Sequence, residues 1–385
     1  MGDSLTCVDL FCGAGGLSLG MQRAGFEILA ATDVHKTAAK TYEENIGQKC
    51  VTDDIRDLSP KEFFERGDFG PDEVDVVVGG PPCKGFSTAG PFDVDDPRND
   101  LFRQYLEIVE EIQPDAILME NVEGILSMHD GAFKNQILEH TDTLGYNTDY
   151  MKLNAANYGV PQLRERVFFI GYQNGRQISR PEQSHTGSKQ KRVTEYDCGD
   201  DLKQYVTTKS AVHDLAFLGV GEESSKYERD PETDYQERMR GNHSKLYNHK
   251  APNHSERIQE RFAKFEPGES VDDVESRLGS NEIKTKKHTI QKWDPETPTN
   301  TITTLPEDFI HYEQDRIPTV RELARIQSFP DWFRFKGPRT TGGQRRSTAL
   351  PQYSQVGNAV PPLLAEALGK EIRATLLGEQ RVVQS

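Results

Sequence analysis

In the first 172 residues, short apolar runs alternate with stretches whose apolar residues recur at spacings of three and four. The runs are Leu5–Phe11, Glu27–Thr32, Val74–Val78, Asp115–Met119 and Val167–Gly171. Between them lie Leu17–Ala24, Lys36–Asn45, Asn99–Ile112 and Gly131–Leu144. Short buried strands alternating with longer amphipathic helices predict βαβ units and an α/β fold built on a parallel sheet. In such a sheet ligands gather beyond the carboxyl ends of the strands, so the chemistry is sought there.

The pattern breaks at Gln173. From there to about Ile310 the chain is polar, carries turn signals such as Asp230-Pro231 and Pro267-Gly268, and offers one clear helix, Ser255–Phe265. Periodicity returns in Val320–Gln327 and Pro362–Leu377, both predicted as amphipathic helices. With 385 residues there is room for two domains. The expected division is 1–172, an inserted irregular domain over 173–310, and a return to the first domain over 311–385. Six of the ten histidines fall in the insert, and His243, His249 and His254 raise the question of a metal. They lack cysteine partners at suitable spacing, so no metal site is expected.

Composition narrows the class. No stretch approaches the ~18 consecutive apolar residues of a membrane span, so none is expected. Met1-Gly2-Asp3 runs into the first apolar segment without a basic n-region, so no signal peptide is expected. Five cysteines without a CxxC pair argue against a disulfide scaffold and a zinc knuckle alike, and point to a reducing, cytoplasmic setting. The net charge of −16 sits entirely in residues 1–172, where 14 basic residues face 30 acidic ones. Basic clusters occur later, at Lys189–Arg192, Lys284–Lys287 and Arg334–Arg346, where a polyanion would find partners.

Three strand ends carry candidate chemistry. The first runs Asp9-Leu10-Phe11-Cys12-Gly13-Ala14-Gly15-Gly16 into a helix. Glycines at such a turn let backbone approach a nucleotide-like ligand, or serve the turn alone. Asp33, twenty residues after Gly13, ends the second strand at the usual distance for a carboxylate on ribose hydroxyls. Ser18 stands at the third glycine position and no basic residue awaits a pyrophosphate, which favours an adenosine ligand without phosphates over a dinucleotide. The third strand ends in Gly79-Gly80-Pro81-Pro82-Cys83-Lys84, a stiff loop presenting a cysteine, and the fourth in Glu120-Asn121-Val122. A thiolate and an acid on one rim suggest covalent catalysis on an electrophilic ring.

These residues resemble the DNA (cytosine-5)-methyltransferase family over almost the whole chain. Phe11–Gly16 resembles its S-adenosylmethionine loop, Pro82-Cys83 its catalytic loop and Glu120-Asn121-Val122 its catalytic acid. Gln162-Leu163-Arg164-Glu165-Arg166 resembles its QxRxR motif, Arg321–Pro330 its ninth motif and Gln355–Pro362 its tenth. Six motifs in family order identify the chain as similar to that family. The resemblance implies a Rossmann-like methyltransferase domain with a smaller, irregular inserted target recognition domain over 173–310. The C-terminal helix is expected to complete the cofactor site.

The implied roles follow. The target cytosine leaves the duplex, because its ring carbons are inaccessible in the stack. Cys83 adds to carbon-6, Glu120 holds the N3 edge, Arg166 meets O2, and Arg164 supports the catalytic loop. S-adenosylmethionine would meet Phe11, Gly13, Gly15, Gly16, Asp33, Val34, Asp54, Ile55, Pro82, Asn358, Ala359 and Val360. Double-stranded DNA is the expected partner, with a cognate restriction endonuclease as a second candidate, and the chain is expected to act as a monomer on the nucleoid. A transfer-RNA methyltransferase of the same family and a catalytically silent DNA-binding relative are the alternatives. Thr299–Thr304 resembles a stretch that closes the recognition domain and is either a phosphate contact or a plain β-edge. Lys84 stands where many relatives carry Gln. Gly337–Ser354 is long for the family, and its Arg339, Arg345 and Arg346 either grip phosphate or belong to a polar loop. So acidic a nucleic-acid enzyme also points to a salt-rich cytoplasm, where screening shortens repulsion.

Overall fold

The computed structural model describes residues 4–82, 100–187, 202–279, 283, 285, 287–340 and 349–379. Cys83, Lys84, Arg345, Arg346, the cluster Lys189–Arg192, and Lys284 and Lys286 lie outside the described residues. The chain forms two compact units. One comprises Met1–Asn154, Glu165–Glu182 and Val360–Ser385, the other Ala155–Arg164 and Gln183–Ala359. Segment 311–359 thus joins the second unit by compactness, although a return to the first was expected over 311–385.

The first unit is built on a seven-stranded sheet. Its strands are β1 (Thr6–Leu10), β2 (Glu27–Thr32), β3 (Cys50–Val51), β4 (Val76–Gly79), β5 (Ala116–Asn121), β6 (Asn147–Asn154) and β8 (Glu165–Tyr172), in the order β3-β2-β1-β4-β5-β8-β6. The intervening β7 (Gln162–Leu163) belongs to the second unit and pairs with Thr299–Asn300. Helices α1 (Gly16–Arg23), α2 (Lys36–Ile46), α3 (Pro60–Gly67), α4 (Asp100–Ile112) and α5 (Ala132–Thr143) connect the strands. Strands β1 to β5 are parallel and buried on both faces, which is why they read as apolar runs. The order reverses direction between β1 and β4, the kind of switch point at whose carboxyl side ligands bind in parallel sheets.

Two features depart from an all-parallel sheet. Strand β8, expected to be parallel, runs antiparallel to β5 and to β6. The edge strand β6 has no apolar run to announce it, because its first half alternates exposed and half-buried residues and only Met151 and Leu153 are buried. The helix Pro362–Leu377 forms as expected and packs on α1 so closely that a Cβ on Gly20 would lie 2.3 Å from the Ala365 Cβ.

The second unit has two-residue strands and short helices, including Thr208–Val212, Asp234–Arg240, Glu256–Phe262, Val271–Leu278, Val320–Ile326 and Gln352–Asn358. One apolar cluster gathers Phe262, Phe265, Val271, Val274, Ile283, Ile290 and Ile310. Much of the remaining order comes from buried charge. Arg325 bridges Asp331 and Asp214 at 2.5 Å each, Arg240 also reaches Asp214, and Arg316 grips Glu322 through two nitrogens. The helix Val320–Ile326, expected to be amphipathic, buries all seven residues, with its charged side chains neutralised inside.

Candidate active site

Strand β1 ends at Leu10, and Phe11 turns the chain with φ 61°, a left-handed conformation uncommon for a side-chain-bearing residue. Gly13 (φ 55°) and Gly15 (φ 96°) continue the turn into α1. Asp33 at the end of β2 ties this loop down. Its Oδ2 accepts the Gly13 N–H at 2.9 Å and its Oδ1 accepts the His35 N–H at 2.7 Å. Behind the loop, Ser18 donates to buried Asp9 at 2.5 Å and shares a hydrogen bond with the Tyr42 hydroxyl at 2.9 Å. Serine at the third glycine position thus serves one oxygen of the Asp9 carboxyl, Oδ2. Burial pushes that carboxyl up to about 7.

The donor set at this rim suits a nucleoside lacking phosphates. A Cβ on Gly13 would meet nothing within 4 Å, so space lies open beside the loop. Val34, next to Asp33, is 52% exposed, an apolar face at a strand end. A carboxylate and glycine N–H groups match hydroxyls and a ring edge, whereas the carboxylate would repel a pyrophosphate. S-adenosylmethionine fits these residues. Other expected contacts are more constrained. The Asp54 carboxylate is engaged by Arg56 at 3.0 and 2.5 Å, which holds it below its ordinary range. The Ile55 side chain is buried in the sheet's core cluster, so contact from Ile55 would come through its backbone. Pro82 is exposed.

On the other side of the switch point, Glu120 near the end of β5 pairs with Arg166 of β8 at 3.0 Å, each side chain 14% exposed. The antiparallel register sets Glu120 against Phe168, which leaves Arg166 as its diagonal neighbour on the same face. Burial lowers the proton affinity of the Arg166 guanidinium while the Glu120 charge opposes the shift. A Cβ on Gly80 would lie 3.2 Å from Glu120 Oε2, so a larger residue where the β4 loop passes the carboxylate would press on it. Asn121 donates to the Pro81 carbonyl at 3.1 Å, fixing the same loop to β5 just before Cys83. Cys83 itself lies outside the described residues.

Arg164, expected to act beside Arg166, belongs to the second unit. It is buried and donates to the carbonyls of Ile302 at 3.2 Å and Gly357 at 3.0 Å. Gln162 joins it, accepting the Ile302 N–H at 2.7 Å and donating to Gln327, which in turn donates to the Val356 carbonyl at 2.8 Å. The QxRxR, ninth and tenth motifs therefore meet in one buried amide network that holds the chain just before Asn358, which is exposed, and Ala359. Sequence reading missed Gln162 and Gln327 in this role, because nothing local to either residue marks a buried amide whose partners lie 140 and 29 residues away. Of the threonines, Thr299 lies in the short strand paired with β7, while Thr301 donates to the Leu163 carbonyl at 2.8 Å and Thr303 to Asp308 at 2.6 Å. His249 bonds Thr319 and His254 accepts the Ile317 N–H. No group of three metal-ligating side chains gathers among the described residues.

The chain is similar to known proteins over nearly its whole length. A family model described as C-5 cytosine-specific DNA methylase matches residues 5–374. The chain is 35% identical to the Type II methyltransferase M.AgeI of Thalassovita gelatinovora, over 96% of this chain and 99% of that one. It is 37% identical to the Type II methyltransferase M.DdeI of Desulfomicrobium norvegicum, over 96% and 88%. A solved structure of an E. coli prophage-encoded protein, assigned as a DNA modification methyltransferase, superposes with a TM-score of 0.74 at 28% identity, over 97% and 100%.

Proposed function

We propose, from the premise that this chain belongs to the C-5 cytosine-specific DNA methylase family, that Cys83, Glu120 and Arg166 are its catalytic residues and S-adenosylmethionine its methyl donor. The chain is a DNA (cytosine-5)-methyltransferase. The observation that carries the site assignment is the Glu120–Arg166 pair on the rim just beyond which Cys83 follows in sequence.

S-adenosylmethionine, when bound, supplies an electrophilic methyl group on a sulfonium. Asp33, the Gly13–Gly16 backbone, Phe11 and Val34 would hold its nucleoside end, with Asn358, Ala359 and Val360 as further contacts. For the flipped cytosine, Arg166 donates to O2, and Glu120, held by Arg166, takes the N3 and amino edge. The Cys83 thiolate forms a bond to carbon-6, and the displaced π electrons move toward carbon-5 and the N3–O2 edge. Arg166 and Glu120 stabilise that charge where it develops, which leaves carbon-5 nucleophilic. After carbon-5 is methylated, its proton passes to solvent water, the C5–H electron pair re-forms the C5–C6 double bond, and the Cys83 thiolate departs with the C6–S pair. Arg164 acts from within the second unit as a positioning residue for the segment before Asn358.

Residues 173–310 are read as the target recognition domain, supported by their low content of regular structure and by the basic clusters there. The relatives' description as Type II methyltransferases supports pairing with a restriction endonuclease of the same specificity. A monomer acting on the nucleoid of a cytoplasm rich in salt accounts for the acidic first segment. Among the described residues no helix is long and apolar enough to cross a membrane.

The test incubates purified protein with unmethylated genomic DNA, or with bulk RNA, and methyl-labelled S-adenosylmethionine. Label is expected in DNA as 5-methylcytosine and is lost with Glu120→Gln. Label in RNA alone would overturn the proposal.

A further inference from the structure

The helix Gln352–Asn358 of the second unit leads directly into Asn358–Val360, and a helix end leaves its last carbonyls without partners inside the helix. At its start the helix is tied to the preceding segment, where the Gln352 amide donates to the Gly337 carbonyl at 2.8 Å. Arg339 of that segment, expected as a phosphate grip or part of a polar loop, donates to the Lys250 carbonyl at 3.0 Å. At the other end the carbonyls are met by buried side chains from elsewhere in the unit. Gln327 Nε2 donates to the Val356 carbonyl at 2.8 Å and reaches the Ala359 carbonyl at 3.4 Å. Val356 also accepts the Ala359 N–H at 3.3 Å, and Arg164 donates to Gly357. A Cβ on Gly357 would lie 2.3 Å from the Thr303 carbonyl oxygen, so the helix end presses directly on that backbone.

The direction of the Gln327 amide is set by a chain of donors. The Ile302 N–H donates to Gln162 Oε1 at 2.7 Å, and Gln162 Nε2 donates to Gln327 Oε1 at 2.8 Å. That leaves Gln327 Nε2 facing the Val356 carbonyl. A backbone N–H only donates and a carbonyl only accepts, so turning either amide over breaks two hydrogen bonds of the chain. Both glutamines are fully buried, where a broken bond is not replaced by water. A satisfied buried chain of this kind specifies one arrangement of the segments it joins. Those segments lead to both halves of the site. Gln162 lies four residues before Arg166, and Ala359 is the last residue of the second unit before the chain rejoins the first at Val360.

We infer that Gln327, oriented by Gln162, is a positioning residue for S-adenosylmethionine. It holds the Val356–Ala359 backbone in the arrangement that the cofactor meets, so binding does not have to order that segment. The inference rests on the reading of Asn358, Ala359 and Val360 as cofactor contacts and extends it to two buried amides behind them. Freed from Gln327, a segment that spends about nine-tenths of its time in other arrangements raises the apparent Kd about tenfold.

The experiment measures binding of S-adenosylhomocysteine to the full chain by isothermal titration calorimetry, without DNA, beside the urea midpoint of each variant. Gln327→Met keeps the length of the side chain, removes its donor, and is expected to raise Kd about tenfold. Gln162→Met, which leaves Gln327 free to turn, raises Kd in the same direction and reads the same chain if Gln327→Met does not fold. The double variant stays within about twofold of Gln327→Met, because the two amides act as one chain. Phe335→Leu truncates the phenylalanine cluster of the same unit, and is expected to lower the urea midpoint while leaving Kd unchanged. Binding by the unmodified protein with the same Kd in both glutamine variants overturns the positioning role and leaves the methyltransferase reading standing. An equal rise in Kd with Phe335→Leu overturns it too, since any loss of stability would then suffice. Failure of the unmodified protein to bind S-adenosylhomocysteine overturns the cofactor reading and the inference together.

Discussion

Arg166→Met removes the cation beside Glu120 while keeping most of the side-chain volume. At their 3.0 Å separation the gross attraction is about 5 kcal/mol for an effective dielectric near 20. Desolvation offsets much of it, since burial outweighs Glu120 in setting the proton affinity of Arg166. The pair as a whole is therefore close to neutral for stability, whereas losing one partner is not. Arg166→Met alone is expected to cost about 3 kcal/mol, because it leaves a carboxylate only 14% exposed without its cation. Arg166→Met with Glu120→Gln removes both charges and is expected to recover about 2 kcal/mol of that loss. In methyl transfer each single variant should fall by about 10²–10³-fold, the usual effect of losing one donor to a developing charge. The double variant should fall little further, because both groups serve one base edge. Urea titration followed by circular dichroism reads the stability cycle, and label incorporation into DNA reads the rates. A single variant as stable as the unmodified protein, or rate losses that multiply in the double variant, would refute the coupling of the two side chains.

Three further outcomes are expected. Gly20→Ala should lower the unfolding midpoint, costing about 1–3 kcal/mol by overpacking, because its Cβ would lie 2.3 Å from the Ala365 Cβ and 2.6 Å from backbone nitrogen of Glu366. Asp9 keeps its proton up to about pH 7 when folded and releases it near pH 4 when unfolded, so stability falls as pH rises from about 4 to about 7 and levels above that. Asp9→Asn should remove a dependence on the order of 4 kcal/mol, read as a flatter plot of urea midpoint against pH. Arg164→Lys cannot serve the carbonyls of both Ile302 and Gly357, and should cost about 1–3 kcal/mol by calorimetry for the one left unpaired.

The sequence made β1, β2, β4 and β5 legible because each is buried on both faces, and a buried strand has to be apolar. Strand β6 was not legible, since an edge strand whose one face runs from exposed Asn147 and Asp149 to buried Met151 and Leu153, with half-buried residues between, leaves no continuous apolar run. The direction of β8 is set by pairing with β5 and β6, and no local residue announces it. The site divides in the same way. Cys83, Glu120 and the glycine loop stand out because they interrupt strands with chemistry at their ends. The Glu120–Arg166 contact depends on antiparallel register across 46 residues and needs the structure. In the second unit, order rests on buried ion pairs such as Arg325 with Asp214 and Asp331, whose partners lie up to 111 residues apart, so apolar periodicity has little to report.

The central claim is that this chain methylates cytosine carbon-5 through Cys83. Bisulfite sequencing of DNA from a methylation-free host expressing the chain, beside a host expressing Cys83→Ser, tests it most directly. Methylation is predicted at one cytosine of a fixed short sequence throughout the genome, and none with Cys83→Ser. Equal methylation by the two proteins would contradict the proposed chemistry.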